Sequence, residues 1–230
     1  MEAIILAGGK AERLGDAAGG RPKALVDVAG RPLAAYQVAR LVRAGVTRVI
    51  VSCAAGQGAV FERELEGLGA EIAAAEEPER LGRGGGIKYA ARLRQETGDV
   101  YALNGDELVD VDFVAMLERH RSTNALATIA VAQPNSQFGI VELGDDDVVH
   151  GFREGGRVPF WVNCGNYVLS DEAIARFPEK GDHESTTFPE LAAEGRLHAF
   201  RHAGLWLTVN TPKELRTAQE QVAARPEWLA

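Results

Sequence analysis

The sequence is short of almost everything that would place it in a membrane, in an oxidising compartment or on a nucleic acid. It has two cysteines in 230 residues, Cys53 and Cys164, with no CxxC or metal-ligand spacing. Two isolated thiols fit a reducing cytoplasm better than a disulfide framework. No stretch of 18 apolar residues occurs, so no membrane-spanning segment is expected. The apolar run opening at Ala3 stops at Gly8-Gly9 and carries Glu2 ahead of it. That is too short and wrongly charged for a signal peptide. Positive charge is also lacking. With 25 Lys+Arg against 33 Asp+Glu the net charge is −8, so no global field draws in a polynucleotide backbone. An anionic ligand must be small and held by a few local cations and backbone N–H groups. Aromatics are 7% of residues, and repeats, low-complexity linkers and charge blocks are missing.

What remains is a chain that is 46% hydrophobic and 25% charged, enough to bury a substantial core in one α/β domain. Short apolar runs alternate with amphipathic stretches. Strands are expected at Ala3–Leu6, Arg48–Ser52, Glu71–Ala75 and Val100–Leu103. Helices are expected at Leu33–Arg43, Ala59–Leu68, Gly85–Gln95 and Asp112–His120, with Asp112 as a natural cap. This alternation predicts a doubly wound, mostly parallel sheet. After residue 124 the rhythm changes to close-set strands at Thr128–Val131, Gly139–Leu143, Val148–Phe152 and Val162–Leu169. Helices at Asp171–Phe177 and Thr187–Glu194, a strand at Leu197–Arg201 and a helix at Pro212–Ala223 follow. We read residues 1–230 as one domain, with a nucleotide-binding half at 1–124 and a smaller, β-rich half at 125–230.

The stretch LAGGKAERLG, leading to Arg21-Pro22-Lys23, is the most informative. A strand that empties into glycines lets backbone N–H groups approach a phosphate. It is not a P-loop, because the nearest GxxxxGK[ST] frame ends in Gly20-Arg21-Pro22. It is not a dinucleotide fingerprint either, because Lys10 and Arg13 stand where GxGxxG needs glycine. An ordinary strand-to-helix turn is the remaining reading of the residues alone.

The full segment LAGGKAERLG…RPKALVDVAGRPL resembles the sugar-1-phosphate nucleotidyltransferase signature LAGGxGTRL…PKxLxPVxGxP. Spacing and identity agree at Gly8, Gly9, Arg13, Leu14, Pro22, Lys23, Gly30 and Pro32, and differ at Ala11-Glu12, where the family has Gly-Thr. Further ordered blocks are similar too. EEPERLGRGGGIKYA resembles ExxPLGTGGAI, and LNGDELVDVDF resembles LNGDxLxDxDL. FGIVELGDDDVVHGFRE, VNCGNYVL and WLTVNTPKEL resemble the later blocks. Within the family, the bare catalytic domain most resembles the mannose- and heptose-1-phosphate guanylyltransferases and the N-acetylmuramate-phosphate uridylyltransferases. The resemblance implies a Rossmann-like fold without the C-terminal β-helix of some relatives, for which 230 residues leave no room.

The implied reaction transfers a nucleoside monophosphate from an NTP to a sugar 1-phosphate or related cyclitol phosphate, using Mg²⁺ and releasing pyrophosphate. The implied roles are as follows. Leu6-Ala7-Gly8-Gly9 and Gly82 cradle the nucleotide. Arg13 grips the triphosphate and Lys23 faces the α-phosphate. Asp106 ligates the metal. The family's second metal ligand, the aspartate of WxDIGT, falls at Thr208, which is a weak ligand. The VNT segment resembles that of the N-acetylglucosamine-1-phosphate uridylyltransferases, where an Asn or Asp of a V-N/D motif ligates the metal, so Asn210 is favoured. For the sugar, the resemblance points to Gly139, Glu154 and Asn163. The lysine that usually follows the glutamate is replaced by Gly155-Gly156, leaving Arg153 or Arg157 as substitutes. Glu77, five residues before Gly82, stands where thymidylyl relatives pair the base with glutamine. A carboxylate only accepts, and so suits the two adjacent donors of guanine. GTP is therefore favoured, with Glu76 and Glu79 as alternative frames and uridylyl or thymidylyl transfer as alternatives. A non-catalytic nucleotide-sensing module is the rival from another class, and homodimerisation is left open.

Overall fold

A computed structural model describes residues 1–9, 11–136, 138–225 and 228. Lys10 of the glycine-rich signature therefore lies outside the described residues. The frame is a seven-stranded sheet. In chain order the main elements of the fold are β1 (Glu2–Leu6), α1 (Leu33–Arg43), β2 (Arg48–Ala54), α2 (Gly58–Glu64), β3 (Glu71–Glu77), α3 (Gly82–Ala90) and β4 (Val100–Asn104). Then follow β5 (Glu107–Val109), α4 (Phe113–Arg121), β6 (Ala127–Ala132), β7 (Ile140–Leu143), β8 (Val149–Arg153), β9 (Val162–Leu169), α5 (Asp171–Arg176), α6 (Thr187–Ala193), β10 (Leu197–Arg201), β11 (Trp206–Thr208) and α7 (Pro212–Ala223). The strand order is β10-β6-β9-β4-β1-β2-β3. Pairing is parallel everywhere except at β9, which runs antiparallel to both β4 and β6. The sheet is thus doubly wound and mostly parallel, and it continues without a break across residue 124.

The apolar runs read as strands because both faces of the sheet are covered. In β1, Ala3 and Ile5 belong to one core cluster with Val38 and Leu41 of α1. Ile4, between them, belongs to a second with Ile87 of α3 and Tyr167 of β9. Two helices end sooner than their hydrophobic patterns predict. The expected Ala59–Leu68 helix stops at Glu64, because Gly67 and Gly69 adopt φ of +77° and +92°. The helix expected at Gly85–Gln95 begins earlier, at Gly82, and relaxes into a 3-10 turn at Ala91–Leu93. Its glycines are forced by contact. A Cβ on Gly84 or Gly85 would meet the backbone of His183 or Glu179 at 2.8 or 2.5 Å.

A third apolar cluster positions the site. Leu215, Ala218 and Val222 of α7 pack with Leu14, Val26, Val28, Leu33 and Tyr36. The far C-terminal part of the chain is thereby laid over the loop that carries Arg13 and Lys23. The helix is started by Thr211, whose hydroxyl accepts from the Glu214 N–H at 3.2 Å, with Pro212 in the first turn. The Glu214 carboxylate in turn accepts the Asn210 N–H at 2.6 Å, which fixes the residue just before the helix. Leu215→Ala should cost about 2–5 kcal/mol of stability in urea unfolding, as a buried leucine truncated in a packed cluster does.

Candidate functional site

Strand order reverses at β1. The chain goes on from β1 to β2 and β3 on one side, and crosses to β4 on the other. Ligands of open α/β sheets bind in the crevice beyond the strand ends at such a point. Here that crevice is a cleft of about 840 Å³, open to solvent, whose lining includes Leu6, Ala7, Gly8, Gly9, Lys23 and Asp106. Glu77 and Gly82 line it as well. The turn after β4 closes tightly on β1. Gly105 N–H donates to the Leu6 carbonyl at 2.8 Å, and a Cβ on Gly105 would run into that same oxygen.

Four side chains from three distant parts of the sequence meet at this mouth. The Lys23 ammonium donates to Asp106 Oδ2 at 2.6 Å and to Asn210 Oδ1. Arg13 Nη2 donates to the same Asn210 oxygen at 3.1 Å. Lys23 is 8% exposed, and a buried ammonium of this kind needs such partners. The backbone explains why Asn210 joins them. β11 pairs antiparallel with β5, setting Thr208 opposite Glu107, and the Val209 N–H donates to the Asp106 carbonyl at 2.9 Å. Asn210 is thereby delivered beside Asp106, whereas Thr208 is paired across the strands with Glu107.

Of the three glutamates that could face a base, the fold separates the roles. Glu76 accepts the Gly56 and Gly58 N–H groups at 2.9 and 2.7 Å, which holds its carboxyl below the usual range. Glu79 pairs with Lys180. Glu77 turns inward under Gly8 and lines the cleft. Its oxygens accept from Ser52 Oγ at 2.8 Å and Leu81 N–H at 2.9 Å.

The residues assigned to the sugar are less closely gathered. Gly139 and Glu154 flank the exposed β7–β8 hairpin and do not line the cleft. Gly139 lies beneath the Phe152 ring, where a Cβ would come within 2.6 Å of Cζ. Arg153 donates to the Arg157 carbonyl at 2.8 Å, and Arg157 to that of Ala203 at 3.1 Å. Both arginines therefore brace loops. Asn163 is fully engaged. It donates to Tyr167 Oη and Glu184 Oε1, each at 2.9 Å, and its Oδ1 accepts the Gly165 N–H at 2.9 Å.

The sequence reading missed three ionisable groups that line the cleft: Arg80, Arg83 and Glu107. Arg80 and Arg83 were legible in principle, since they stand where the pattern ExxPLGTGGAI has proline and threonine. Arg83 spans Asp182, at 2.9 Å from Nε, and Glu184, at 2.7 Å from Nη1. Glu107 accepts from Asn104 Nδ2 at 3.2 Å and Trp206 Nε1 at 2.7 Å. Burial pushes its carboxyl up to about 7, against the lowering effect of those two donors. Only the fold could show this, because Trp206 is 99 residues away.

Between Asp182 and Glu184, His183 is wholly buried, stacked on Phe177 at 4.7 Å and edge-on to Phe188 and Tyr167. Neither ring nitrogen has a partner among the described residues, and burial lowers its pKa to about 4. The unfolded chain therefore binds a proton below about 6.5 that the folded state refuses until about 4. Stability should fall as pH drops through that window. His183→Phe should flatten this part of the profile, measured by urea unfolding between pH 4 and 8.

Comparison with known proteins places the chain in a family. The chain is 33% identical over 227 residues to a mannose-1-phosphate guanylyltransferase of Mycobacterium tuberculosis, covering 93% of this chain and 62% of the relative. It is 32% identical to the catalytic subunit beta of mannose-1-phosphate guanylyltransferase from Danio rerio, covering 94% and 63%. The chain thus spans somewhat over three fifths of the length of these relatives. Among solved structures, HddC from Yersinia pseudotuberculosis superposes with a TM-score of 0.75 at 25% identity, over 96% of this chain and 99% of HddC. Its complex with GMP-PN superposes with a TM-score of 0.74. The nucleotidyl transferase family profile matches residues 2–225. That span takes in both halves of the sheet and every group gathered at its switch point, and the chain belongs to the nucleotidyl transferase family.

Proposed function

We propose that this chain transfers a nucleoside monophosphate from an NTP, GTP by preference, to a sugar 1-phosphate or a related cyclitol phosphate, releasing pyrophosphate. The observation that carries the reading is the meeting of Arg13, Lys23, Asp106 and Asn210 beside Gly8-Gly9. An oxygen of the sugar phosphate attacks the α-phosphorus in line, and the bond from the α-phosphorus to the bridging oxygen of the leaving pyrophosphate breaks. The attacking oxygen is already ionised at neutral pH, so no general base is needed. The protein's work is to hold two anions together and offset the charge that develops.

Lys23 and Arg13 supply the cations. Arg13, with a fork that cannot lose its charge, holds the triphosphate oxygens, and Lys23 moves from Asp106 and Asn210 onto the α-phosphate. The donor set also suits Mg²⁺. One carboxylate and one amide oxygen share a single cation here, and Mg²⁺ usually takes one or two protein ligands with phosphates and water completing its shell. Asp106 and Asn210 would hold it, and when bound it neutralises charge at the α-phosphate. The β-rich half, residues 125–230, would present the acceptor, with Glu154 taking hydrogen bonds from sugar hydroxyls and Asn163 fixing the strand behind them. The guanine preference is supported by Glu77, an acceptor-only group in the cleft, and by the mannose-1-phosphate guanylyltransferase relatives.

The deciding experiment is a pyrophosphate-release screen of four NTPs against a panel of sugar 1-phosphates. Release is expected only with NTP, acceptor and Mg²⁺ together, and fastest with GTP. Nucleotide binding without turnover on any pair would instead identify a sensing module. Asp106→Ala should lower kcat at least about 100-fold, since charge held at the metal stabilises the transition state by several kcal/mol. A magnesium titration separates the candidate second ligands. Asn210→Ala should raise the Mg²⁺ requirement sharply, Asn210→Asp should keep activity, and Thr208→Ala should behave like the parent. The reverse ranking of Asn210→Ala and Thr208→Ala would move the ligand to the hydroxyl.

A further inference from the structure

Arg80 stands out among the cations of the cleft because it has no partner. It lines the cleft that holds Lys23 and Asp106, and also the adjoining one on the far side of Gly8-Gly9, where Gln57 and Pro78 sit. Its guanidinium makes no hydrogen bond or ion pair with any described residue. That is unexpected for a residue following three glutamates within four positions. The geometry explains it, because each of those acids is committed elsewhere. Glu76 caps α2 through Gly56 and Gly58, Glu77 accepts from Ser52 and Leu81, and Glu79 pairs with Lys180. Arg83 is likewise taken, by Asp182 and Glu184. Arg80 is thus the cation of this turn left for a ligand.

The sheet says which part of the ligand it meets. Asp106 follows β4 and Glu77 ends β3, so β1 and β2 lie between them. Three strand spacings of about 4.8 Å put these strand ends roughly 14 Å apart, a length that a ribose and a base can span. With the phosphates at Lys23 and Arg13, the base falls toward Glu77 and Arg80. We infer that Arg80 is a specificity-determining residue that donates its guanidinium fork to the O6 and N7 acceptors of guanine, while Glu77 accepts from the neighbouring Watson–Crick edge. This rests on the guanylyl reading above. Each Glu77 oxygen keeps a second lone pair for that purpose. The fork-to-O6/N7 match is the commonest specific contact proteins make to guanine. Adenine would set its N6 amino donor against the same donors, and uracil or thymine presents no matching N7.

Calorimetric titration of the whole chain with Mg²⁺ and GTP, 7-deaza-GTP, ITP, ATP or UTP tests this without relying on turnover. 7-deaza-GTP lacks only the N7 acceptor and reads Arg80. ITP lacks only the 2-amino donor and reads Glu77. The parent should bind GTP about 10-fold more tightly than 7-deaza-GTP. Arg80→Met should bind GTP about 10-fold more weakly than the parent does, and should no longer distinguish the two. It should keep the parent's preference for GTP over ITP and, because Arg80 is exposed, the parent's urea midpoint. If the parent prefers GTP to ATP and UTP yet binds 7-deaza-GTP equally well, the role of Arg80 is overturned and the guanylyl reading stands. If Arg80→Met weakens every nucleotide by one common factor, Arg80 serves the phosphates and the inference is again overturned. If the parent shows no preference for GTP, the guanylyl reading has failed and this inference falls with it.

Discussion

Everything at the mouth of this protein depends on β1 being clamped between β2 and β4, with its end left open. Leu6 pairs with Ser52 on one side and Asn104 on the other, and the chain reverses its winding direction between them. The Leu6 carbonyl takes the Gly105 N–H, and the Ala7 N–H goes to the Ser52 carbonyl at 2.7 Å. The backbone leaving β1 is thus held in place just where Gly8-Gly9 give it freedom to approach a ligand. Burial on both faces makes that clamp stiff, because Ile4 and Ile5 point into separate cores.

On that fixed point the site is assembled by packing rather than by local sequence. The third apolar cluster brings α7 back across the chain, and the β5–β11 pairing carries Asn210 to Asp106. The outcome is a concentration of opposite charge. An ammonium lies between a carboxylate and an amide oxygen, with a guanidinium reaching the same amide. In the free protein those contacts satisfy a nearly buried lysine. In the proposed reaction the same groups are redistributed onto phosphate and metal, so the resting hydrogen bonds keep the cations close to where they will be used.

The two sides of the cleft differ in rigidity. On the base side, Glu77 and its neighbours are held by backbone donors and by the glycine contacts of α3, which leave no room for side chains. On the acceptor side, Asn163, Tyr167, Glu184 and Arg83 form one connected network, but the β7–β8 hairpin beyond it stands exposed, with Phe152 at 68%. Gly139 and Glu154 flank that hairpin. The base side of the cleft is therefore largely preformed, while the hairpin next to two of the residues assigned to the sugar stands exposed.

Much of this was legible in the chain itself. Alternating apolar runs specified the parallel sheet, since strands buried on both faces must be apolar throughout. The glycine-rich turn, Arg13, Lys23 and Asp106 point to phosphate chemistry through their resemblance to a family signature, since those residues alone also fit an ordinary strand-to-helix turn. Asn210 is favoured over Thr208 because its VNT segment resembles the metal-binding motif of related uridylyltransferases, and the fold sets it beside Asp106. Local pattern could not say which of Glu76, Glu77 and Glu79 turns inward, since all three share a charge and one segment, and only Ser52, Gly56 and Lys180 tell them apart. Nor could it reveal that Arg83 is occupied and Arg80 is not, or that Trp206 reaches Glu107. Those outcomes depend on which distant donors and acceptors arrive at the same place, and that is decided when the sheet closes and α7 folds back over it.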